Sequence, residues 1–221
     1  MRVPLLFVLL PLVGLYGSPT AHAAASLLVD DAGITPAGHC QLESWIRQHH
    51  RNGHEPVVVA ACTRAGTEWS FGLGHHGGQS RSDASLGVKR PLPLADASPL
   101  QLAVALAFDQ DLHDARSHGL SLGLPMSIML GPDSTLHVEA GLRRQDDARG
   151  WTFGTGLEQL LSARWSVLGE LARDVHRDTH LQLGLRRQLW SGSSLDLLHG
   201  RALGGDGARW ITLGLNLALP R

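Results

Sequence analysis

The stretch Trp210 to Leu219 reads W-I-T-L-G-L-N-L-A-L and constrains the fold more than any other part of the chain. Ile211, Leu213, Leu215, Leu217 and Leu219 are apolar, and the residues between them are small or polar. A period of two is the side-chain alternation of a β-strand. About ten residues of this pattern form the unit of a transmembrane β-barrel, with one face on lipid and the other on a polar interior. The alternation therefore predicts that Leu213 and Leu215 face lipid. It turns Thr212 and Asn216 to the interior, so Leu215→Arg should block assembly or lower stability sharply while Asn216→Arg should be tolerated.

Weaker copies of the same pattern recur upstream. Period-two runs fall near residues 38–48, 55–64, 67–75, 84–91, 99–108, 119–130, 134–143, 151–160, 164–173, 179–189, 193–199 and 209–219. The expected fold is all-β, an antiparallel up-and-down transmembrane barrel of about twelve strands. The connections alternate. One set, His49–Glu55, His76–Asp83, Asp109–Gly119, Gln145–Gly150, Asp174–Asp178 and Gly200–Ala208, is mostly longer and polar, as external loops are. The other set is mostly short and reads as periplasmic turns. Pro125 lies inside a run and lacks the N–H a ladder needs, so a bulge is expected there. Residues 156–175 carry a second pattern: Leu157, Leu160, Leu161, Trp165, Leu168 and Leu171 also fit one face of a helix. That alternative would give a smaller α+β periplasmic domain.

The N-terminus reads as a targeting segment. Arg2 supplies the positive charge, Val3 to Leu15 an apolar core and Ala21-His22-Ala23 a cleavage site, so residues 1–23 are expected to be a signal peptide. Residues 24–36 follow as an N-terminal lead-in, and 37–221 as the barrel. No later segment holds the roughly 18 apolar residues that a membrane helix needs. Export to an oxidising compartment makes Cys40 and Cys62 a disulfide pair. They flank a hairpin with its tip at Arg51-Asn52-Gly53. Closing that loop should add roughly 3 kcal/mol.

If the apolar rows face lipid, the other rows bring Glu43, Arg47, Arg64, Glu68, Lys89, Glu139, Glu158, Glu170 and Arg186 to the lumen, with His180 and Asp196. Charge within a membrane-spanning region is tolerated where it pairs or lines water. Such rings fill and solvate the interior or set which solute passes. Trp151, Trp165, Trp190 and Trp210 fall at strand ends, where interfacial girdles sit, although strict parity turns Trp190 and Trp210 inward. The many histidines fall in or beside loops, without a metal-ligand spacing, and read as polar loop residues. Gly-x-Ser-x-Gly, His-Glu-x-x-His and phosphate loops are absent, so neither an enzyme nor a cofactor is expected. The formal net charge of −1, with no basic patch, leaves nucleic acid out as a partner.

Val29-Asp30-Asp31-Ala32-Gly33, followed by Gly38-His39-Cys40-Gln41-Leu42-Glu43, resembles the opening of a family of proteobacterial outer-membrane barrels assigned as meta-pathway phenol-degradation transporters. The resemblance implies a barrel of about this strand number, inserted in outer-membrane lipid by the barrel-assembly machinery and passing small hydrophobic molecules. Two functions follow for testing: an outer-membrane barrel, conducting or structural, and a soluble periplasmic or secreted β-rich binding protein.

Overall fold

The computed structural model describes residues 26–219 apart from 52, 95–97, 115, 191 and 205–206. The expected signal peptide lies outside the described residues. Twelve strands follow one another: β1 (Cys40–His49), β2 (His54–Arg64), β3 (Thr67–His76), β4 (Arg81–Pro91), β5 (Leu100–Asp111), β6 (His118–Met129), β7 (Ser134–Gln145), β8 (Ala148–Ser162), β9 (Trp165–Arg173), β10 (Thr179–Trp190), β11 (Ser193–Ala202) and β12 (Arg209–Leu219). Each pairs antiparallel with its neighbour in the chain, and β12 closes on β1 from Cys40↔Leu219 to His49↔Trp210. The barrel has no free edge, so every strand finds backbone partners on both sides. Residues 156–175 form β8 and β9 rather than a helix, because their period of two is satisfied on both sides of one wall.

We call the end carrying Cys40 and Leu219 the terminal rim and the opposite end the far rim. Connections at the far rim span only 50–53, 77–80, 112–117, 146–147, 174–178 and 203–208, while the terminal rim carries the span 92–99. The contrast in loop length expected from the sequence is therefore small. The strands run further than their apolar rows, as when β7 and β8 continue to Gln145 and Ala148 across a tight turn.

Alternation decides the two faces. In β12 Leu213 stands 51% exposed on the outside, whereas Thr212 is fully buried and Asn216 nearly so. Apolar side chains cover the outer wall, including Ile46, Phe71, Leu86, Leu106, Leu124, Leu183 and Leu197. A soluble protein rarely leaves so large a continuous apolar surface uncovered. The interior takes the small and polar rows, with Leu168 and Leu198 as buried apolar exceptions.

Four details differ from other expectations set by the sequence, although Trp210 among them keeps the inward parity of its strand. Arg64 is exposed on the outer face, because Ala61 and Thr63 take the inward positions of β2. The run Val57-Val58-Val59-Ala60-Ala61 carries no alternation from which that parity could be read. Trp190 points outward, since a bulge between Gln188 and Trp190 shifts its parity. Trp210 is buried inside and donates its indole N–H to Gln182 Oε1 at 2.9 Å, so it belongs to no outer girdle. Pro125 causes no bulge. The β5–β6 ladder keeps one register on either side of it, from Leu102↔Met126 to Ala105↔Gly123, and β6–β7 pairing continues through Pro125↔Glu139. The missing N–H costs the β5 side its local pairs only.

Trp69, Trp165 and Trp190 stand outward at the terminal rim, and Trp151, Phe153 and Phe108 at the far rim. These are the two belts in which amphipathic rings sit at membrane–water boundaries. Cys40 and Cys62 face each other across β1 and β2 at the terminal rim and form a disulfide. Thiol labelling of denatured, unreduced protein is expected to detect no free cysteine, and two after reduction. Labelling before reduction would refute the pair without touching the barrel.

Candidate functional site: a lumen crossed by the N-terminal segment

The expected lead-in does not merely lead in. Over its described part, from Ser26 to Thr35, it lies inside the barrel and crosses the lumen from β11 to β3. Ser26 Oγ donates to Asp196 on β11 at 2.9 Å. The backbone N–H groups of Leu28 and Val29 both donate to Glu170 on β9 at 3.0 Å. The Asp30 N–H donates to Glu139 on β7 at 3.1 Å, and the Ala32 N–H to Ser127 on β6 at 3.0 Å. Thr35 gives both its N–H and its hydroxyl to Glu68 on β3. An irregular segment leaves backbone groups unpaired, and buried ones must find partners. Carboxylates supply all of these but the Ser127 hydroxyl, and charge-assisted bonds are the stronger kind.

The wall is shaped to admit this segment. A Cβ on Gly154 of β8 would stand 2.8 Å from Val29 Cγ2, and one on Gly214 of β12 would stand 2.8 Å from Ser26. Val29 and Ala32 are buried against the wall. Lys89 on β4 holds the middle of the segment. Its Nζ lies 2.7 Å from Asp30 Oδ1 and donates to the carbonyls of Asp31 and Gly33.

Glu43, Arg47, Glu68, Lys89, Glu139, Glu158, Glu170 and Arg186 all point into the lumen. Arg64 does not. Arg186 reaches Glu158 at 3.0 Å and Asp196 at 2.8 Å, and Arg47 lies 3.9 Å from Glu55. Asp83 and Glu55 flank His76, Asp111 takes Arg81, and Asp109 takes Arg143. Among the described residues Glu43, Glu68, Glu139 and Glu170 form no ion pair with a basic side chain. The last three spend their charge on the backbone and hydroxyl of the crossing segment. The lumen is thus richer in acid than in base. Among the described residues no group of three or more His, Cys, Asp or Glu is arranged to hold a metal ion.

Beyond the segment, toward the far rim, a cavity of about 390 Å³ remains. Leu28 and Asp30 line it together with Ala105, Ser121, Glu139, Arg143, Thr152, Ala172 and His180, and Asp174, Val175 and His176 overhang it from the β9–β10 loop. Sequence reasoning missed the crossing segment. The only available signal was Val29-Asp30-Asp31-Ala32-Gly33, a short stretch with no period of its own.

A closed twelve-strand barrel with an apolar outer wall, two aromatic belts and a polar lumen is the fold of outer-membrane channels. The chain belongs to the family described as "Uncharacterised conserved protein UCP029691", whose model matches residues 12–219. None of the curated proteins matches it. Solved structures share the fold at low identity. The KdgM porin in complex with disordered oligogalacturonate is similar with a TM-score of 0.69 and 8% identity, over 81% of this chain and 99% of that one. The COG4313 outer membrane channel from Pseudomonas putida F1 is similar with a TM-score of 0.63 and 13% identity, over 86% and 97%. The NanC porin is similar with a TM-score of 0.60 and 8% identity, over 82% and 100%.

Proposed function

We propose that the protein is an outer-membrane channel for small polar solutes, held narrow by its own N-terminal segment, with cations and neutral molecules favoured over anions. The observation that carries this is the acidic lumen whose Glu68, Glu139 and Glu170 lack basic side-chain partners. Rings of carboxylate raise the local concentration of cations and repel anions. The barrel sits in the outer membrane with its terminal rim in the periplasm and its far rim outside, inserted by the barrel-assembly machinery. Likeness in the opening residues implied hydrophobic solutes, but a charged lining suits polar ones. The porins and the channel that share this fold support a transport role over an enzyme. The filled periplasmic half also supports a second reading, a sealed structural barrel.

Bilayer recordings separate these. Under a KCl gradient the reconstituted protein should show a reversal potential of the sign for K⁺ preference. Gly154→Val/Gly214→Val, which removes the space for Val29 and Ser26, should pass a larger current than the unaltered protein. Preference for Cl⁻ would overturn the charge reading. No current from either protein would establish the sealed barrel. Membrane fractionation with heat-modifiable gel migration tests location independently, and recovery in the soluble periplasmic fraction would end the membrane reading.

A further inference from the structure

The outer wall carries an arrangement that the lumen does not explain. Arg144 on β7 and Arg149 on β8 are direct cross-strand partners. Arg201 on β11 and Arg209 on β12 are direct partners as well. All four are exposed on the outward row at the far rim, as is Arg173 on β9. Like charges directly opposite each other in a sheet are destabilising unless something lies between them. None of these arginines forms an ion pair among the described residues, and neither Asp146 nor Asp147, in the adjoining turn, reaches them.

Their position is specific in height and in bearing. Arg149 stands two residues beyond Trp151 on the same face, about 7 Å along the strand. That is just outside the aromatic belt, where lipid headgroups lie. On the other half of the same rim the outward strand ends carry Gln48, His54, His75, Ser82, Gln110 and His118, with no arginine. Among the described residues the terminal rim lacks such pairs too. There Arg64 faces Thr67, Arg90 faces Val104, and Arg187 lies over the Trp165 ring at 5.6 Å.

We infer that the β7–β12 half of the far rim docks a phosphate-bearing lipid of the outer leaflet, its phosphates seated on the Arg144/Arg149 and Arg201/Arg209 pairs. A phosphate has the oxygens to accept bidentate bonds from a guanidinium, and placed between two arginines it turns their repulsion into attraction. The acyl chains would lie along the apolar wall below. This inference rests on the outer-membrane reading but not on conduction, so a barrel that passes no ions would leave it standing.

The test uses the whole protein folded in non-ionic detergent, with bound lipid counted by native mass spectrometry. The probes are lipid A and lipid A stripped of its phosphates. Unaltered protein should bind the stripped lipid at least about tenfold more weakly. Arg144→Gln/Arg149→Gln/Arg201→Gln/Arg209→Gln should bind intact lipid A with a similar loss. The opposite-rim control Arg64→Gln/Arg90→Gln/Arg187→Gln should retain it. Equal binding of both lipids by the unaltered protein would overturn the inference, and that comparison needs no variant to fold. So would retention by the far-rim variant or an equal loss in the control. Displacement of lipid A by an equal concentration of inorganic phosphate would replace the lipid site with a simple anion site.

Discussion

Replacing Asp196 with alanine is expected to cost about 3–5 kcal/mol, the largest loss from any single lumen residue. Asp196 is fully buried and is the meeting point of four elements. It accepts Arg186 Nε at 2.8 Å and Nη2 at 3.0 Å from β10, Ser26 Oγ at 2.9 Å from the crossing segment, and Asn216 Nδ2 at 3.3 Å from β12. Removing the carboxylate leaves Arg186 with Glu158 alone, so a buried guanidinium loses its bidentate partner. An uncompensated buried charge costs far more than the pair itself contributes. Arg186→Met/Asp196→Leu, which removes both charges, should therefore lose much less than Asp196→Ala. The Arg143–Asp109 pair provides the contrast. Its side chains remain about a third exposed, and Asp109→Ala should cost under about 1 kcal/mol. Urea unfolding in detergent micelles, followed by tryptophan fluorescence, reads all three. Equal losses at Asp196 and Asp109 would mean that water reaches both pairs alike.

The wall of this barrel was legible in the sequence and its contents were not. Strands such as β12, β6 and β10 announce themselves because one constraint, apolar outside and wettable inside, acts on every second residue. Their ends extend beyond the apolar rows, as at Asp111 and Gln145, because hydrogen bonding to a neighbour continues after the lipid boundary has been passed. Parity failed where the pattern was blank, at Arg64, and where a bulge inserted a residue, at Trp190. Neither is a local property: each depends on the partner strand. The inward charges were recognisable as a set, but not what they hold. Glu170, Glu139 and Glu68 lie on three strands far apart in the chain, and only closure of the barrel brings them to one crossing peptide. That peptide has no repeat because its backbone is satisfied by side chains rather than by a ladder. Gly154 and Gly214, read along the strands as small members of the inward rows, mark its path.

Leu213→Arg should block assembly or cost about 2–4 kcal/mol, whereas Thr152→Arg should cost under about 1 kcal/mol. Leu213 sits near the middle of β12 with half its surface on the outer wall, flanked across the sheet by Ile46 and Leu197. An arginine there must leave its guanidinium in hydrocarbon or bend it several residues toward a rim. Thr152 lies on the inner side of β8 and lines the cavity beyond the crossing segment, together with Glu139 and Asp174. A guanidinium placed there meets water and two carboxylates. Alternation alone would have nominated Asn216 as the tolerant position. That site is filled, for Asn216 is buried and donates to Ser194 at 2.9 Å, so an arginine there would strain the packed side of the lumen. The informative contrast is therefore between the outer wall and the cavity, not between neighbours on one strand. Heat-modifiable gel migration scores assembly, and urea unfolding in micelles scores stability. A cost at Thr152 as large as that at Leu213 would mean that the cavity is closed to water. A larger cost at Thr152 than at Leu213 would mean that the apolar rows are not in lipid, and the membrane reading would fall with them.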